Sequence, residues 1–180
     1  MLERIVRGKE MILTYEKEVH VASPKKAHKE DAGIDFYIPY DLNYVVTKGK
    51  GINISLTDKT DSDNGTIQVA AIEVNPHESV LIPLGIKVRI PDSYCLVFFN
   101  RSGIASKKCF YRGAGVIDSN FRGTLMLNLT NVSNKSQYIF AGEKIIQGLL
   151  LPVPEVTIEE GKVENDTERG EGGFGSTNNK

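Results

Sequence analysis

Asp118 is the sharpest candidate for chemistry in this chain, because it follows the apolar pair Val116-Ile117 inside the stretch Gly113-Ala114-Gly115-Val116-Ile117-Asp118-Ser119-Asn120-Phe121-Arg122-Gly123. A carboxylate held at a strand end can act as general base toward water. In an isolated sequence the better reading is an Asx residue capping its own turn. Gly113, Ala114 and Gly115 carry so little side chain that a flat ring could approach the main chain closely. The whole stretch reads as a tight hairpin, with a turn near Ser119 and Asn120 and an alternating strand from Thr124.

Two further segments suit phosphate. Asn100-Arg101-Ser102-Gly103 comes just after an apolar run, where a turn would present the Arg101 cation, the Ser102 hydroxyl and free backbone amides together. Arg169-Gly170-Glu171-Gly172-Gly173-Phe174-Gly175-Ser176-Thr177 offers the same groups for wrapping an oligophosphate. Its G-x-G-x-x-G is not a dinucleotide fingerprint, since no strand precedes it and only a few polar residues follow. Alone, this segment reads as a flexible tail. Asp61-Ser62-Asp63-Asn64-Gly65 lacks the remaining ligands of an EF-hand and reads as a solvated turn. His28-Lys29-Glu30 lacks the P-C-x-x-C partner of the zinc deaminases, while His20 and His77 have no second ligand at a useful spacing. No zinc site is expected.

The elements that must position these groups are strands. In Leu84-Gly85-Ile86-Lys87-Val88-Arg89-Ile90-Pro91 the apolar side chains recur at every second position, and 124–131 repeats the pattern. Tyr94-Cys95-Leu96-Val97-Phe98-Phe99 reads as a strand covered on both faces. No window of a dozen residues shows an apolar helical face, so the chain is expected to be all-β, a sandwich, jelly roll or barrel. A hairpin is expected within 43–72, pairing 52–57 with 66–72 across the polar loop 58–65, where Asn64-Gly65 signals a turn. Apolar periodicity fades from about Glu155, dividing the chain into one β domain over 1–163 and a mobile arm over 164–180.

With 180 residues the chain can bury a core without staples, and two cysteines are too few for a disulfide framework. A net charge of −1 argues against a nucleic-acid polymer as partner. No apolar stretch is long enough to span a membrane, and the first ten residues lack a signal peptide's apolar core. An intracellular, cytoplasmic protein is expected, with a nuclear or viral setting left open.

Five segments taken in order, Asp31-Ala32-Gly33-Ile34-Asp35-Phe36, Arg101-Ser102-Gly103-Ile104-Ala105, 113–123, Gly142-Glu143-Lys144-Ile145-Ile146-Gln147 and 169–177, closely resemble the five motifs of the homotrimeric dUTPases. The resemblance runs from about Glu10 to Thr177. It implies a β jelly roll assembled as a trimer, with three active sites built at subunit interfaces, and hydrolysis of dUTP to dUMP and pyrophosphate with Mg2+ on the triphosphate. It implies that Asp118 activates the attacking water and that Phe121 lies under the deoxyribose. Arg101, Ser102, Gly103 and Gln147 would hold the phosphates, and Asp35 would act near the metal through water. Gly113, Ala114, Gly115, Val116, Ile117 and Met126 would form the uracil slot. Arg169, Gly175, Ser176 and Thr177 would close over the γ-phosphate while Phe174 covers the uracil.

Two departures stand out against that family. Phe121 occupies a position more often Tyr, which keeps the ring and loses the hydroxyl. The spacing from Asp35 to Arg101 is long, and the surplus falls at 43–72, read as an inserted outer hairpin whose use as a protein-partner site is a guess. A dCTP deaminase of the same fold, or a regulatory binding protein on a dUTPase scaffold, are the competing functions.

Overall fold

The computed structural model describes residues 11–61 and 65–172. The chain runs β1 (Thr14–Lys17), β2 (Ile34–Tyr37), α1 (Leu42–Lys48), β3 (Asn53–Asp61), β4 (Gly65–Val74), β5 (Ser79–Pro83), β6 (Ile86–Arg89) and β7 (Tyr94–Asn100). It continues through α2 (Ser102–Lys108), β8 (Phe110–Arg112), β9 (Val116–Ile117), β10 (Met126–Asn131), β11 (Gln137–Phe140) and β12 (Lys144–Pro152). The strands pair antiparallel in the orders β2-β12-β7-β9, β5-β10-β8, β11-β4-β3 and β1-β6. Inward residues of these sheets meet in one core. Phe36 and Phe98 sit edge to face within it, their ring centroids 5.4 Å apart.

Period-two patterning becomes burial directly. Ile86 and Val88 of β6 are buried with Lys87 turned outward between them, and Leu127, Leu129 and Asn131 of β10 alternate inward. Asn131 is a polar residue with no exposure, tolerated because its amide donates to Val74 O and Lys135 O and accepts from Ser133. β7 corrects an expectation. Only Leu96 and Phe98 are fully buried, while Phe99 on the other face is exposed, so this strand has one covered face.

Both helices are seven residues long, too short to show a helical stripe. α1 starts because the Asp41 carboxylate accepts from Asn43 N at 2.9 Å, and it drops Val45 into the core. α2 ends at Cys109, whose φ of 52° turns the chain into β8.

The β3–β4 hairpin also differs from expectation. Its ladder continues through Lys59↔Ile67 and Thr60↔Thr66 to Asp61↔Gly65, so the polar residues 58–61 are strand and not loop. They are polar because β11 pairs only with Ala71 to Val74, leaving the outer half of the hairpin a two-stranded ribbon with water on both faces. Leu56 is 70% exposed there. Gly65 has φ +71°, while Ser62, Asp63 and Asn64 of the expected turn lie outside the described residues. Among the described residues no helix is long and apolar enough to cross a membrane.

Candidate functional site

The first candidate half-site lies where β2, β12 and β7 run side by side. Asp35 pairs across the ladder with Gln147, which pairs with Phe99, so motif residues far apart in sequence come together at one end of the sheet. With Gly33, Asn100, Arg101 and Ser102 they line an open cleft of about 490 Å³. Gly33 leaves room for Gln147: a Cβ would stand 2.4 Å from Gln147 Oε1 and push aside a side chain that donates to Asn100 O at 3.0 Å. Asn100 is itself tied to β8 through Phe110 O and Arg112 N.

Arg101 is fixed by two contacts, Nε to Asp35 Oδ1 at 3.0 Å and Nη1 to Lys144 O at 3.3 Å. A guanidinium has five N–H donors, so part of the fork stays available to an anion. Lys144 Nζ takes Asp35 Oδ2 at 2.8 Å. Ser102 and Gly103 open α2, where first-turn amides have no helical partner, and a Cβ at Gly103 would meet nothing within 4 Å. The surface beside these amides is clear for a ligand.

The second half-site corrects the expected hairpin. The two arms of 113–123 and its return strand do not pair tightly: β8 joins β10, whereas β9 crosses to β7 in another sheet. A cleft of about 180 Å³ opens in the split, lined by Val116, Ile117, Asp118, Phe121, Met126 and the Thr124-Leu125 pair. Gly113, Ala114 and Gly115 are not among its lining residues. A Cβ at Gly113 would fall 2.0 Å from Asn128 Oδ1, and one at Gly115 would fall 2.5 Å from Arg112 Nη1. These glycines therefore make room for the chain's own side chains.

The structure also separates the two readings of Asp118. Its turn is closed by main chain, Phe121 N to Asp118 O at 3.1 Å, and by Arg122 Nη1 donating to Ser119 O and Phe121 O. Among the described residues the Asp118 carboxylate takes no hydrogen bond, so it is not spent on capping and can accept one from water. Phe121 folds over Gly123, where a Cβ would lie 2.6 Å from its ring.

Thr124, in the cleft wall, is held by a residue that sequence reasoning missed. Its Oγ1 donates to Glu18 at 2.6 Å, and Lys87 Nζ pairs with the same carboxylate at 2.9 Å. Burial pushes the Glu18 pKa up, but hydrogen bonds from Thr124 and Lys87, the Lys87 charge and Tyr44 outweigh it, leaving it below the ordinary 4.5. The same contact pushes Lys87 up. A carboxyl with a lower pKa folded than unfolded stabilises fully above 4.5, and that contribution is lost as pH falls through the folded value. Thermal melting is expected to drop with acidification below about pH 5, with a shallower drop in Glu18→Gln. Identical acid limbs for the two proteins would remove Glu18 from this role.

The two clefts share no lining residue. Asp118 borders a shallow depression with Tyr94 and Cys95 at the start of β7, whereas Arg101 follows its far end. Six residues of strand at ~3.3 Å each separate them by roughly 20 Å. Arg169 lines neither cleft, and its Nε donates locally to Gly172 O at 3.0 Å. Phe174, Gly175, Ser176 and Thr177 lie outside the described residues. Arg122, Thr124 and Lys144 join the site from outside the expected set. Arg122 was findable as a cation beside a turn's carbonyls, but nothing in the sequence links Glu18 to Thr124.

Known proteins share this arrangement of sequence and fold. The chain is 32% identical to a deoxyuridine 5'-triphosphate nucleotidohydrolase of Hydrogenobaculum sp. over 157 residues, 86% of this chain and 96% of that protein. It is 40% identical to one from Wolbachia pipientis over 112 residues, 59% of this chain and 72% of that protein. In fold it is similar to a mutant dUTPase of Staphylococcus bacteriophage 80alpha solved with dUpNHpp, at a TM-score of 0.69 and 22% identity, covering 92% of this chain and 98% of that one. The dUTPase of phage phi11 of S. aureus, with its species-specific insert, matches at a TM-score of 0.64 and 17% identity over 87% of this chain and 99% of that one. The dUTPase family model matches residues 67–178, a span that takes in the Arg101 cradle, the Asp118 turn, the start of β12 and the glycine-rich tail, and the chain belongs to the dUTPase family.

Proposed function

We propose that the chain hydrolyses dUTP to dUMP and pyrophosphate as a homotrimer in which each active site takes the Asp118 cleft from one copy and the Arg101 cleft from another. The observation that carries this reading is the separation of the two clefts: a carboxylate with no hydrogen-bond partner among the described residues in one, and in the other phosphate-binding groups whose own carboxylates, Asp35 and Asp31, are already held by Arg101 and Lys144 and by His28 N. One triphosphate does not reach across roughly 20 Å of strand. A second copy of the chain resolves the mismatch.

In this reading the uracil enters the split between Val116-Ile117 and Met126, which ladder away from each other, to β7 and to β5, so that the edges facing the split pair with no described strand. Cytosine would present a donor where uracil presents an acceptor, leaving a buried group unpaired. Phe121 packs under the deoxyribose. Arg101, the amides and hydroxyl of Ser102 and Gly103, and Gln147 hold the phosphates for in-line attack. Asp118 removes the proton as water attacks the α-phosphorus, and the bond from that phosphorus to the bridging oxygen of the leaving pyrophosphate breaks. Arg169, Phe174, Gly175, Ser176 and Thr177 of the tail close over the nucleotide and exclude water.

Magnesium bound to the triphosphate would offset its charge during the transfer. The substrate's own phosphate oxygens would be its main ligands, since magnesium takes hard oxygen donors and keeps several waters. Asp35 fits an indirect role, since its two cationic partners use about two of its four acceptor positions and a metal-bound water can take another.

The test is incubation of the purified protein with dUTP, dTTP and dCTP in magnesium buffer, with pyrophosphate and ammonia measured. Pyrophosphate from dUTP alone is expected. Ammonia from dCTP would favour the deaminase instead.

A further inference from the structure

We propose that Lys144 is a positioning residue that gives the Arg101 cleft its attraction for a polyphosphate. The proposal rests on the phosphate-binding reading of that cleft. Asp35 is only 6% exposed and holds two cations, Arg101 at 3.0 Å and Lys144 at 2.8 Å. Asp31 lies on the rim of the same cleft, its carboxylate accepting from His28 N. With Lys144 the two cations balance the two carboxylates. Without it Arg101 alone would answer the buried Asp35, while Asp31 keeps its own partners His28 and Lys26, so less positive charge would be left over for an arriving phosphate.

Lys144 also fixes where Arg101 points. With Oδ2 occupied by the lysine, the Asp35 carboxylate offers Oδ1 to Arg101 Nε, while Lys144 O receives Arg101 Nη1. The lysine is itself well placed. It stands opposite Tyr37 in the β2–β12 ladder with Nζ 5.9 Å from that ring's centroid. The preceding residue, Glu143, is clamped by Lys108 Nζ at 2.7 Å and by Phe140 N at 2.9 Å. Lys108 is the last residue of α2, whose first turn lies beside Arg101, so one set of contacts braces both ends of the cradle.

The experiment measures the affinity of the full-length protein for dUMP, dUDP and dUpNHpp with magnesium, at two salt concentrations. The variants are Lys144→Met, Lys144→Gln and Lys144→Arg. The wild type is expected to bind more tightly with each added phosphate. Lys144→Met should weaken dUpNHpp binding about tenfold or more and dUMP binding about twofold, with a shallower salt dependence. Lys144→Gln keeps a hydrogen bond to Asp35 without the charge and should behave the same way, which covers the case where the Met variant does not fold. Lys144→Arg should restore the wild-type series. Equal weakening of all three nucleotides, or an unchanged dUpNHpp affinity in Lys144→Gln, would overturn the proposal. A wild type that binds none of the three would overturn the dUTP reading itself.

Discussion

Asp118→Asn is expected to lower dUTP turnover by about 10²- to 10⁴-fold while leaving dUpNHpp affinity within a few-fold of wild type. The substitution is close to isosteric, but it removes the negative charge and with it the capacity to accept a proton. The turn should survive it, because Phe121 N bonds to the main-chain oxygen of residue 118 and Arg122 secures the carbonyls of Ser119 and Phe121. No folded contact among the described residues depends on the carboxylate. Steady-state pyrophosphate release, analogue binding and thermal melting together separate the outcomes. A variant that melts several degrees lower and loses binding in proportion would make Asp118 a structural residue, and one that keeps its turnover would exclude it as the base.

The difference between a capping and a catalytic carboxylate shows why part of the site was legible in the sequence and part was not. Residue type and order singled out Asp118, Arg101, Gln147 and Asp35 as candidates, since chemistry is carried by side chains that can be read one at a time. Their partners depend on strand register. Gly33 matters because Gln147 lies across the sheet from Asp35, and Thr124 because it meets a carboxylate 106 positions earlier. At Gly113 and Gly115 the room a side chain would need is taken by Asn128 and Arg112, neighbours that strand register sets. In the fold, alternation in β6 and β10 gave strands directly. It failed at residues 58–61, where a ribbon wetted on both faces has no apolar side to alternate with. Seven-residue helices contain too few turns to reveal a face, so α1 and α2 left only a cap, Asp41, and a left-handed stop, Cys109.

Mixing two inactive variants should restore activity if the site is shared between copies. Arg101→Ala is expected to lose phosphate binding without unfolding, because Asp35 keeps Lys144 at 2.8 Å and no buried charge is orphaned. Asp118→Asn leaves that cleft intact, and Arg101→Ala leaves the Asp118 turn intact, since the two clefts share no lining residue. When equal amounts are co-expressed and assemble at random, about a quarter of the sites pair an unaltered Asp118 cleft with an unaltered Arg101 cleft, and about a quarter of wild-type turnover is expected. Mixing the two after separate assembly should yield little until subunits exchange. A site contained within one chain gives a different result, because every site then carries one of the two lesions at any mixing ratio. Turnover that stays at the sum of the separate variants would refute the shared site, and turnover that rises with the slow exchange of subunits would locate each substrate between two copies.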